Sequence, residues 1–99
     1  MGSKVVARWN SMLEERWLAD VHSDVHAENA QKWFGVVPGD EDFRKKRNIA
    51  KIVALGTINS MSPEGIRLSL EKSLEVSLPV DEIEKVMVKF EQDFPQLWR

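Results

Sequence analysis

The sequence predicts an all-α fold, a compact single-domain bundle of about five helices with the helix at 41–59 central. Three observations carry this. Apolar residues recur at helical spacing along most of the chain. Capping residues and helix breakers fall between those stretches, and no segment alternates as a strand does. The 99 residues, 42% hydrophobic and 30% charged, match an ordinary globular composition and suffice for one core, 1–99.

Ser3 is placed to cap a first helix, about 4–21, whose Val5, Val6, Trp9, Met12, Leu13 and Trp17 form a stripe about a third of the circumference wide. Ser23, followed by Asp24, predicts a second start, and Val25, Ala30, Trp33 and Phe34 lead to the stop residue Gly35, giving a helix at 24–34. Val36-Val37-Pro38-Gly39 reads as a turn, with Asp40 capping the helix at 41–59. From Ile49 to Ile58 that helix is apolar on nearly every side, which a surface helix does not tolerate. Ser62-Pro63-Glu64 combines a capping hydroxyl, a proline whose missing N–H costs nothing there, and an acid at the positive helix end, opening a helix at 63–76. Leu78-Pro79 breaks the chain. Asp81 and Glu84 then suggest a capping box for the helix at 81–94, where Ile83, Val86, Met87, Phe90 and Phe94 share a face.

With no cysteine, disulfides and thiolate chemistry are excluded, and stability must come from packing. No apolar run approaches the ~20 residues that span a bilayer, and the start of the sequence lacks a secretory signal's apolar region, so a cytoplasmic location and no membrane partner are expected. Met1-Gly2-Ser3-Lys4 is similar to an acylation signal, but Val6 stands where that pattern wants Ser or Thr. The net charge of −2 provides no global basic field. By region, residues 32–60 are net +3 and both flanks are negative.

Charge concentrates at Arg44-Lys45-Lys46-Arg47, with Lys51 one turn on. Arg44, Arg47 and Lys51 share one side of a helix and could track a nucleic-acid backbone. Against this, Asp40/Arg44, Glu41/Lys45 and Asp42/Lys46 have the spacing of three favourable i,i+4 pairs, each worth about 0.3–0.5 kcal/mol, so a self-paired solvated face is expected. His22 and His26 are four apart, a metal-ligand spacing, but Ser23 interrupts the helix and no third ligand is indicated; no metal or cofactor is expected. Ser69, Ser73 and Ser77 recur every fourth residue, where small side chains permit close helix approach.

Four tryptophans are a high load for this length. Trp9, Leu13 and Trp17 share a face with Arg16 and Asp20, themselves an i,i+4 pair, and Trp and Arg are enriched at protein interfaces. The same stripe also suits a core edge. Trp98 either anchors the C-terminal tail or is free for a partner.

From Phe43 to Phe90 the order of elements resembles the helical core of the carboxymuconolactone decarboxylase family: an Arg-rich entry to an apolar helix (Arg44 to Leu55), a short helix, then Asp81-Glu82-Ile83 opening another. The resemblance covers about half the chain. Where that family's pattern directs attention to a histidine the sequence has Ser69, and the paired cysteines of its redox members are missing, so none of its chemistry carries over.

No nucleophile elbow, HExxH or glycine-rich phosphate loop is present, and the acids mostly sit at helix starts or in pairing positions. The sequence therefore favours a non-enzymatic protein-interaction module. It would self-associate or dock a protein partner through Trp9, Leu13, Arg16, Trp17, Asp20 and Trp98. A nucleic-acid-binding regulator using Arg44, Arg47 and Lys51 is the alternative. A small helical enzyme with its site at an oligomer interface is the second.

Overall fold

In the computed structural model, which describes residues 2–20 and 23–98, the helix α3 (Phe43–Ile58) lies at the centre. It touches α1 (Gly2–Ala19), α2 (Val25–Phe34), α4 (Pro63–Leu74) and α5 (Val80–Asp93). A 3-10 turn over Pro95–Trp98 ends the described chain, and among the described residues there is no strand. The fold is thus an all-α bundle with α3 inside it. Ile49, Ala50, Val53, Ala54 and Ile58 of α3 are all buried, as its all-round apolar second half requires.

Local chemistry explains most helix ends. Ser62 Oγ accepts the Gly65 N–H at 3.1 Å with Pro63 in the first helical position, and Gly35 ends α2 at φ 69° while its N–H reaches Gln31 O. Four boundary details differ from the sequence expectation. α1 already includes Gly2, so Ser3 lies inside it. The cap of α2 is Asp24, not Ser23: its Oδ1 accepts the Ala27 N–H at 3.2 Å from an extended backbone. Asp40 turns back to accept the Val37 N–H at 2.9 Å, so α3 opens two residues later than expected, after Asp42. α5 opens after Pro79 with no side-chain cap, which places Asp81 in its first turn rather than in a capping box.

The late start of α3 removes the three expected ion pairs. Asp40 and Glu41 lie outside the helix and Asp42 is only its N-terminal cap, and none of the three pairs forms among the described residues. Lys46 instead stands 5.4 Å over the Phe34 ring. The serine row does not mediate helix approach either: Ser73 is exposed, and Ser77 lies beyond the end of α4. Glu75 takes a left-handed conformation (φ 55°) that turns Val76 inward, its N–H reaching Leu70 O, and buries it.

Close approach of α3 and α4 occurs at Gly56, where an added Cβ would lie 2.6 Å from Cγ1 of the fully buried Ile66. Ile66 is β-branched and enclosed, so it has little room to retreat. Overpacking should outweigh the ~1 kcal/mol of helix propensity that alanine supplies. Gly56→Ala is expected to lower stability by about 1–2 kcal/mol in urea unfolding, and a gain would show that the two helices can separate freely.

The aromatic residues form a layer around Phe90, which is fully buried. Trp9 lies 5.4 Å from it, Trp33 5.7 Å, Phe94 5.2 Å and Trp98 5.6 Å, the three tryptophans edge-on, a favoured geometry. Trp33 Nε1 donates to Asp93 Oδ2 at 3.0 Å. The tail is tied down as well: Leu97 is buried and its carbonyl accepts from Arg8 Nη1 at 3.0 Å. Trp98 therefore serves as a tail anchor, although 38% of it remains exposed.

Candidate functional site

Where the C-terminal half of α1 passes the start of α2 and the first turns of α3, the surface opens into a cleft of about 530 Å³. Leu13 and Trp17 of α1 and Val25 of α2 supply its apolar walls. Glu14 and Arg16 of α1, Ser23 and Asp24 of the connection, His26 of α2 and Arg47 of α3 supply its polar lining. Trp17 is 57% exposed, so the cleft carries a large apolar side chain in solvent; the adjacent Leu18, 76% exposed, lies outside the lining.

Both arginines are held by carboxylates from another segment. Arg47 Nε donates to Asp24 Oδ2 at 2.8 Å, and its Nη1 donates to Asn48 Oδ1 at 3.3 Å. Arg16 Nε donates to Ser23 Oγ at 3.3 Å, and its guanidinium forms an ion pair with Glu28. Pairs this exposed add little to stability, on the order of 0–1 kcal/mol each. What they provide is orientation, since each guanidinium is fixed beside the cleft with N–H groups to spare.

His26 is partly buried against the Trp9 ring, with centroids 6.1 Å apart. Burial, reinforced by the cations Arg47 and Lys51 and opposed by Asp24, pushes its pKa down to about 4, so at neutral pH the ring carries no charge. Burial raises the Asp24 pKa, but the Arg47 hydrogen bond, the Ala27 N–H and the charges of Arg47 and His26 together leave it below its ordinary value. The cleft lining therefore sets two cations, Arg16 held by Glu28 and Arg47 held by Asp24, beside a neutral imidazole, with Glu14 also at its wall. Among the described residues no hydrogen bond joins Ser23 to His26; the Ser23 hydroxyl accepts from Arg16 instead.

Of the residues singled out from the sequence, the structure brings Leu13, Arg16 and Trp17 together with Arg47, which belonged to the other candidate set. Trp9 is corrected: it is 1% exposed and part of the core. Eight residues of helix rotate a side chain by about 80°, enough to turn Trp9 inward and Trp17 outward from one broad stripe. Asp20 is exposed just past the end of α1, outside the cleft lining, and Trp98 packs on Phe90 instead. Arg44 and Lys51 are exposed and form no ion pair among the described residues. His22 lies outside the described residues, and among those described no group of three or more His, Cys, Asp or Glu could hold a metal ion. No described helix is long and apolar enough to cross a membrane.

Sequence reasoning missed Glu14, Ser23, Asp24, Val25 and His26 as cleft residues. Only the capping chemistry at 23–24 marked that segment as a rigid junction. Fold and cleft together define a small helical bundle with an amphipathic surface cleft. No family model, curated protein or solved structure matches the chain, so the likeness of residues 43–90 to the decarboxylase core gains no support.

Proposed function

We propose that this chain is a non-enzymatic protein-interaction module that self-associates through the Trp17 cleft. The supporting observation is that a knob and a hole share one surface. Trp17 projects into solvent from the lining of a cleft large enough to receive such a side chain, and a patch holding both knob and hole can pair with its own copy about a two-fold axis. The oriented arginines beside an exposed tryptophan match the composition of interface hot spots. The other exposed large apolar residues described, Leu18, Val37, Leu68, Val88 and Trp98, lie outside the cleft lining, and scattered exposure of that kind is ordinary. A cytoplasmic setting is part of the proposal, on the cysteine-free composition alone.

Light scattering over a range of concentrations tests this. Wild type should dimerise, and Trp17→Ala should be monomeric with unchanged helical circular dichroism and a stability within about 0.5 kcal/mol of wild type. A wild type that stays monomeric at every concentration rules self-association out. A partner retained by wild type and lost by Trp17→Ala would then assign the cleft to a different protein.

One observation favours the nucleic-acid alternative: Arg44 and Lys51 are exposed, and among the described residues Arg44 lacks the Asp40 pairing that the sequence offered it. Arg47, held by Asp24, is less available. On this alternative the protein binds duplex DNA or RNA with affinity that falls steeply with salt and on changing Arg44 and Lys51 to Ala. Failure to bind at low salt removes it.

A further inference from the structure

We infer that the bundle holds an internal water site behind His26, where α2 meets Trp9 of α1. Four buried side-chain atoms from three residues have no protein hydrogen-bond partner: Trp9 Nε1, His26 Nδ1, and both Oδ1 and Nδ2 of Asn29. Trp9 and Asn29 are each only 1% exposed.

These groups share one region of the core. The Trp9 ring lies against the His26 ring, centroids 6.1 Å apart, and against Phe90 at 5.4 Å. On α2, Asn29 falls between His26, one turn before it, and Trp33, one turn after, and Trp33 also packs on Phe90. Residues three and four apart share a helix face, so Asn29 lies on the face of α2 whose His26 and Trp33 rings meet Trp9 and Phe90. Leaving all of these groups unserved would cost an amount comparable with the whole stability of a domain this size. They must be hydrogen-bonded to something other than protein.

The donor and acceptor inventory identifies what. Trp9 Nε1 and Asn29 Nδ2 only donate, Asn29 Oδ1 only accepts, and His26 Nδ1 does either according to tautomer. An anion would leave Asn29 Oδ1 unserved, and a metal ion would face an indole N–H. Water both donates and accepts, and buried waters typically make about three such bonds. Because His26 also lines the cleft, the water couples the orientation of a cleft imidazole to the buried Asn29 amide.

The test is an NMR measurement of the nuclear Overhauser effect between water and the Trp9 indole proton in the ¹⁵N-labelled full chain, with Trp9→Phe identifying the resonance. Wild type should show the effect with the sign of a long-lived bound water. Asn29→Leu, close in volume, should lose it and melt about 4–8 °C lower. Absence of the effect in wild type overturns the inference, as does its persistence in Asn29→Leu. A higher melting temperature for Asn29→Leu, as expected on removing an unserved amide, also overturns it.

Discussion

Trp9→Ala should lower the unfolding free energy by about 3–5 kcal/mol, while Trp17→Ala on the same helix should change it by no more than about 0.5 kcal/mol. Trp9 is 1% exposed and borders the rings of Phe90, Phe94 and His26, so truncation removes a large buried surface and opens a cavity in the aromatic layer. A domain of this size has about 5–15 kcal/mol in total, so a sizeable unfolded fraction is expected at physiological temperature. Trp17 is 57% exposed and its loss leaves the core intact. Guanidinium unfolding monitored by far-ultraviolet circular dichroism measures both. Equal losses for the two variants would mean that the division of α1 into a core end and a rim end is wrong. The contrast matters for function because only Trp17 can then report on docking without reporting on folding.

What was legible in the sequence was local. Ser62-Pro63 and Gly35 determine their helix ends through atoms three or four residues away, and the apolar run of α3 declared its central position. Where two local partners compete, the outcome depends on context. Asp40 could cap α3 or close the turn at Val37, and it closes the turn, which removed three ion pairs from a face that spacing alone had filled. The cleft was illegible for a different reason. Helical periodicity groups Arg47 with Arg44 and Lys51, but the contact that orients it is to Asp24, 23 residues earlier and brought close by the packing of α2 on α3. Likewise, helical spacing groups Trp9 with Trp17, and only the position of Phe90, far along the chain, decides which of them is enclosed.

Stability should fall between about pH 6.5 and pH 4 and regain a flat dependence above that range, as far as His26 sets it. In the folded chain its pKa is about 4, against the ordinary histidine value of 6.5 in the unfolded chain. Above that window both states are neutral at this residue and it contributes no slope. Within it the unfolded histidine binds a proton that the folded one refuses, so acid favours unfolding, with a limiting slope of about 1.4 kcal/mol per pH unit. Below pH 4 both states are protonated and the loss is complete, about 3 kcal/mol in all. Asp24, whose folded pKa is depressed, contributes stability that is lost only as the pH falls below its ordinary value of 3.8, beneath the histidine window. Urea unfolding from pH 7 to 4 should therefore show a fall that His26→Gln, which cannot titrate, largely abolishes. An unchanged pH dependence in His26→Gln would place the acid sensitivity elsewhere. Since the same imidazole lines the cleft, a protonated His26 would add a positive charge beside Arg16 and Arg47, and docking there should weaken only as the pH falls towards about 4, where the folded imidazole takes up its proton.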